Sequence, residues 1–192
     1  MRMINYIVSG LPRSGTSMLM QMLKAGGMPV ATEEKREADE NNPKGYLEIE
    51  GIIDRLRENP DLIFRYTGQA IKIIAYGLQY LPPGDYKIIY IERDIEEVLD
   101  SIEKMIGKKD TERDKTRKSF TRLNEKIKKE INSRGDIEVL MVNYNDVIQH
   151  PEENAKKIYE FIGIQSLDVD KMIYSVDKNL YRQRRVVQGK NE

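Results

Sequence analysis

Residues 10–17 read Gly10-Leu11-Pro12-Arg13-Ser14-Gly15-Thr16-Ser17. They follow a β-prone run, MINYIVS at residues 3–9, and lead into leucine- and methionine-rich helix formers from Ser17 to Lys24, which gives a strand, a turn and a helix in direct succession. A glycine-rich turn in that setting aims successive backbone N–H groups and the positive end of the helix at one point, an arrangement that binds phosphate. Both glycines and the final hydroxyl follow the spacing G-x-x-x-x-G-K-[ST], but Thr16 stands where that pattern has its lysine. The cation sits instead at Arg13, where a guanidinium can clamp an oxyanion through two parallel hydrogen bonds. The usual magnesium–nucleotide arrangement is thereby lost, which disfavours a nucleoside triphosphatase. The candidate anion site is Pro12, Arg13, Ser14, Gly15, Thr16 and Ser17.

Outward from this loop, three further strands are expected at residues 70–76 (AIKIIAY), 86–92 (YKIIYIE) and 137–143 (IEVLMVN), whose near-continuous apolar character suits a parallel sheet covered on both faces. Between them, Ile95, Val98, Leu99 and Ile102 share one helical face, as do Phe120, Leu123, Ile127 and Ile131, and then Ala155, Ile158, Tyr159 and Ile162. The alternation predicts one α/β domain over residues 1–192, a three-layer α/β/α fold with a mainly parallel sheet, P-loop NTPase-like in plan. The polar stretch 107–118 starts without apolar anchors and reads as a candidate mobile loop.

The 192 residues carry 39% hydrophobic and 33% charged side chains, enough for a core that hides about 70% of the unfolded surface. Lysine plus arginine equals aspartate plus glutamate at 32 each, so no global positive field favours nucleic acid or anionic lipid, and any anion site must be local. Residues 31–61 nevertheless hold ten acidic and five basic side chains, and residues 108–134 eleven basic and five acidic. There is no cysteine, hence no disulfide or thiolate chemistry, and the single histidine, His150, excludes multi-histidine metal sites. No run approaches the roughly 18 apolar residues of a membrane span. A cytoplasmic setting without nucleic-acid or membrane partners is expected, with no bound metal.

The loop from Pro12 to Ser17 resembles the P-[RK]-S-G-T-[ST] loop of the sulfotransferase superfamily, whose members hold there the 5′-phosphosulfate of 3′-phosphoadenosine 5′-phosphosulfate (PAPS). A second family signature, R-D-P-x-[DE]-x-x-x-S, is similar to Arg93-Asp94-Ile95-Glu96-Glu97-Val98-Leu99-Asp100-Ser101, with Ile95 for the common proline. The resemblance implies that Arg93 and Ser101 hold the 3′-phosphate. Independently of it, Arg93 follows a strand and Ser101 lies two helical turns onward, on the face that looks back towards it. Weaker likeness runs through Asn42–Glu48, Lys72 with Leu81-Pro82, the segment from Tyr144 to Gly163, and Asn179–Arg184.

Sulfuryl transfer needs cations over the equatorial oxygens, an in-line acceptor and a base for its proton. Arg13 is one cation candidate. Lys72, a charge inside Ala-Ile-Lys-Ile-Ile, is the second, provided that it emerges into a cleft. The catalytic histidine that the cytosolic branch of the family carries in this strand is replaced by Ile74. The tyrosylprotein branch uses a glutamate about twenty residues beyond the loop arginine, and counting from Arg13 reaches Glu33 and Glu34, so that resemblance points first to Glu34 as base, with Glu48 second. Arg182, Arg184, Arg185 and Lys190 make a basic tail over 178–192, and likeness to the cytosolic branch suggests that Arg184 joins the nucleotide site. The expected activity is sulfuryl transfer from PAPS, leaving 3′-phosphoadenosine 5′-phosphate (PAP), to a hydroxyl or amine of a small molecule, carbohydrate or peptide. The alternatives are a P-loop small-molecule kinase and a non-catalytic PAP- or PAPS-binding protein.

Overall fold

The computed structural model describes residues 4–33 and 47–177. Four strands, β1 (Asn5–Gly10), β2 (Ala70–Lys72), β3 (Tyr86–Glu92) and β4 (Ile137–Asn143), form one sheet in the order β2-β1-β3-β4, every pair parallel. Seven α-helices are described: α1 (Thr16–Ala25), α2 (Ile52–Glu58), α3 (Ile95–Ile106), α4 (Arg113–Ser133), α5 (Tyr144–Gln149), α6 (Pro151–Ile162) and α7 (Val169–Ser175), with 3-10 turns at Pro60–Tyr66 and Ala75–Tyr80.

Alternation along the strands divides the core in two. Val8, Ile89, Ile91 and Val142 face one side and pack against Leu19, Leu23, Val147, Ile158 and Met172 of α1, α5, α6 and α7. Ile7, Ile71, Ile88 and Tyr90 face the other and pack against Leu56, Ile63, Leu78, Ile127 and Ile131. Burying both faces explains the apolar runs, and the result is the expected three-layer α/β/α fold.

The third and fourth strands run as the sequence predicts, but the second ends at Lys72, not at residue 76. Ile73 still donates to Val8 O at 3.0 Å; the chain then turns into the 3-10 segment, whose Ala75, Gly77 and Leu78 are also buried. An apolar run is therefore no proof of extension. Of the stretch 107–118, read as a candidate mobile loop, residues 107–112 connect two helices and 113–118 are helical. α3 ends with Gly107 in the left-handed region at φ 73°, and α4 begins at Arg113. Its first turns are held by polar bonds that hydropathy does not register: Asp110 accepts from Glu112 N and from the Thr116 hydroxyl, and Arg113 binds carboxylates of α3.

From β1 the chain passes to β2 on one side and then to β3 on the other. In parallel sheets this switch point, at the carboxyl ends of the strands, is where ligands bind. Gly10, Lys72, Glu92 and Asn143 end their strands on that edge.

Candidate active site

The loop between β1 and α1 is shaped by close approach. Gly10 has φ 154°, and a Cβ there would lie 2.4 Å from Ile91 O and 2.5 Å from Ser14 Oγ. Gly15, at φ 112°, would place a Cβ 2.4 Å from Cδ2 of Tyr144. Arg13 itself adopts φ 66°, a left-handed conformation that costs a residue with a Cβ about 1 kcal/mol or more. Ser14 N donates to Leu11 O at 3.1 Å and closes the turn. α1 then starts with no side-chain cap and no acidic residue in its first turn, so its leading N–H groups keep their positive end for an anion. Ser14 is 1% exposed, and its Oγ is one of the buried polar atoms without a hydrogen-bond partner among the described residues.

Asp94 caps α3 by accepting from Glu96 N at 2.9 Å and Glu97 N at 3.1 Å, which puts Ile95 at the first helical position, where proline is the common choice. Arg93, its side chain 7% exposed, donates from Nε to Glu97 Oε2 at 2.9 Å and from Nη1 to the Arg13 carbonyl at 3.3 Å. Its guanidinium lies 4.3 Å from the centroid of the Tyr144 ring. Ser101 Oγ accepts from Arg13 Nε at 3.0 Å. The two motifs of the sequence thus meet: Arg13, Arg93 and Ser101 form one contiguous cluster.

Lys72 emerges beside the loop from the α1 side of β2. Its Nζ is 2.6 Å from Glu48 Oε2 and 3.4 Å from Ser17 Oγ. Glu33 is held by Arg55 through bonds of 2.7 and 3.2 Å, and its amide donates to the Glu48 carbonyl at 3.2 Å. Of the two glutamates reached by counting from Arg13, Glu33 therefore serves an ion pair, while Glu34 lies outside the described residues. So do Arg184 and the rest of the 178–192 tail. Two residues were missed by the sequence reading, Glu97 and Tyr144. Glu97 is four positions after Arg93 on a helix that opens between them, a spacing that signals an ion pair; Tyr144 carries no local signal beyond its place directly after β4.

The arrangement can cradle two anionic groups on neighbouring strand ends and present a third cation, Lys72, at the flank. A profile for the sulfotransferase domain matches residues 4–191. The chain belongs to the sulfotransferase family. No protein of curated function matches it in sequence. Among solved structures, this chain is similar to a mouse sulfotransferase complexed with PAP, with 17% identity, a TM-score of 0.52, and coverage of 92% of this chain and 63% of that one. It thus spans less than two thirds of the mouse enzyme's length. It is also similar to the sulfotransferase domain of the Synechococcus olefin synthase, with 15% identity, a TM-score of 0.58, and coverage of 91% and 78%. A third is the sulfotransferase domain from the curacin biosynthetic pathway, with 13% identity, a TM-score of 0.54, and coverage of 93% and 88%. At these identities the likeness extends to the fold. Among the described residues, no helix is long and apolar enough to cross a membrane.

Proposed function

We propose that this sulfotransferase moves a sulfuryl group from PAPS to a hydroxyl or amine of an acceptor. The observation that carries the reading is the junction of the two phosphate motifs, Arg13 Nε on Ser101 Oγ at 3.0 Å with Arg93 on the Arg13 carbonyl. A loop that tolerates no Cβ at Gly10 or Gly15, and a buried Ser14 hydroxyl without a partner among the described residues, suit a phosphate group in front of it. Pro12 to Ser17 would hold the 5′-phosphosulfate, and Arg93 with Ser101 the 3′-phosphate. PAPS supplies an activated S–O bond, which breaks towards PAP as the acceptor oxygen or nitrogen bonds to sulfur.

The residues of the chain do the rest. Arg13 and the first-turn N–H groups of α1 stabilise charge on the departing phosphate. Lys72, next to Ser17, stabilises the sulfuryl oxygens. A carboxylate takes the acceptor proton, with Glu34 and Glu48 as the candidates. Glu48 pairs with Lys72 at 2.6 Å, which supports it as a candidate beside the cation but also weakens it as a base.

The test is turnover of sulfur-labelled PAPS in EDTA against a panel of alcohols, amines, saccharides and peptides. Label in an acceptor with release of PAP supports the reading. Phosphate transfer from ATP that requires magnesium would replace it with a kinase, and tight PAP binding without turnover on any acceptor would replace it with a binding protein.

A further inference from the structure

Arg113 opens α4, and its guanidinium spans one face of α3. Nη2 lies 2.6 Å from Asp100 Oδ1, 2.8 Å from Glu96 Oε2 and 3.1 Å from the Glu96 carbonyl, Nη1 lies 2.8 Å from Glu103 Oε1, and Nε lies 3.1 Å from Glu96 Oε2. Arg117 adds a bond from Nε to the other oxygen of Glu96. The Arg113 side chain is 22% exposed. Burial works against ionisation of Glu96, but the hydrogen bonds from Arg113 and Arg117 outweigh it and keep that carboxyl below its usual range.

Glu96, Asp100 and Glu103 follow the spacing i, i+4, i+7 and form one acidic stripe. The adjacent stripe carries Glu97 and Ser101, which bond Arg93 and Arg13. Glu96 directly precedes Glu97, and Asp100 directly precedes Ser101. Asp100 thus stands one residue and Glu103 two residues from Ser101, and Glu96 three residues from Arg93, the two groups assigned above to a phosphate dianion. At such separations, in partly desolvated surroundings, salt screens like charges poorly. Two arginines from α4 face those three acids, and Arg113 touches all of them.

We propose that Arg113 is a positioning residue for the 3′-phosphate of the donor: it neutralises the acidic stripe of α3 and fixes that helix so that Ser101 and Arg93 can accept a dianion. The inference rests on the PAPS reading above. It gives the segment 107–118 a task in donor recognition without contact with the donor.

The experiment compares the binding of PAP and of adenosine 5′-phosphosulfate, which lacks the 3′-phosphate, by the intact protein and by Arg113→Met, with thermal melting to confirm folding. Arg113→Met should weaken PAP by about tenfold or more and change adenosine 5′-phosphosulfate by less than about threefold. Adding Glu96→Gln, Asp100→Asn and Glu103→Gln to Arg113→Met should restore PAP to within about threefold, because the repulsion disappears with the acids. Unchanged PAP binding, equal losses for both nucleotides, or no recovery on neutralising the stripe would each overturn the inference while leaving the donor assignment standing. An intact protein that binds the two nucleotides equally would remove the donor assignment and this inference with it. Should Arg113→Met fail to fold, Glu103→Gln in the otherwise intact chain carries the test with the opposite sign: PAP should tighten, and unchanged or weaker binding overturns the proposal.

Discussion

Replacing Lys72 by methionine keeps most of the side-chain volume and removes the charge. Lys72 is 7% exposed and its partner Glu48 25% exposed, with 2.6 Å between Nζ and Oε2. Removing one member of a fully buried pair costs about 3–5 kcal/mol, but Glu48 can rehydrate through its open quarter, so the cost should be about 1–2 kcal/mol. For a chain of this size, each kcal/mol moves Tm by roughly 2–4 °C, giving a fall of about 2–8 °C. Catalysis should lose far more. A donor aimed at charge that develops in the transition state contributes about 10²- to 10³-fold to kcat, and PAP, which lacks the sulfuryl group, should bind within about threefold of its original affinity. Thermal melting, PAP titration and PAPS turnover on one preparation separate these effects. A folded Lys72→Met protein that turns over within about threefold of the original, or one whose PAP affinity falls as far as its turnover, would refute a role at the sulfuryl group.

Arg93→Ala removes charge-assisted bonds to a dianion and should weaken PAP by about 1.5–3 kcal/mol while hardly changing adenosine 5′-phosphosulfate; equal losses in a calorimetric titration would contradict the assignment. Of Glu34→Gln and Glu48→Gln, the variant that removes the base should lower turnover by about 10²- to 10⁴-fold at nearly unchanged PAP affinity, and full activity of both would mean that the acceptor reacts without a protein base. On the acid side, Asp136 lies well below its usual range, chiefly through its hydrogen bond from Arg134. Glu96 is also held low, its hydrogen bonds from Arg113 and Arg117 outweighing the burial that opposes them. These folded-state values are depressed, so the stability they give is complete above the unfolded carboxylate range and is lost as pH falls: Tm should be flat down to about pH 5 and drop below about pH 4. Asp136→Asn should flatten that drop, and a melting profile that does not respond to it would contradict the assignment. On the alkaline side burial pushes Tyr86 up to about 12, so stability present at neutral pH should decline above about pH 10.

The strand, turn and helix around Gly10–Ser17 were legible because a β-prone run meets a glycine-rich turn and then helix formers, and the strands at 86–92 and 137–143 because each is a near-continuous apolar run that pairs in a parallel sheet. The strand at 70–76 was read too long because Ile73, just past the strand, and Ala75, in the 3-10 turn, are as buried as residues of the sheet, and burial is all that an apolar run reports. The start of α4 was read as loop because it is fixed by Arg113 and Asp110, whose partners lie on α3 or along a polar turn. At the site, Arg13, Arg93, Ser101 and Lys72 were legible as residue types out of place or in a motif. The meeting of Arg13, Arg93 and Ser101 with each other, with Glu97 and with the ring of Tyr144 was not, since residues up to 88 positions apart meet there and the registers of β1 and β4 on β3 bring them together.

The central claim is that one site recognises both phosphates of PAPS. Calorimetric titration of one preparation in EDTA with PAP and 5′-AMP, then with ATP in magnesium, tests it most directly. The account predicts that PAP binds at least about tenfold tighter than 5′-AMP, a difference of about 1.4 kcal/mol contributed by the 3′-phosphate. PAP that binds no better than 5′-AMP, beside ATP that binds only with magnesium, would contradict it.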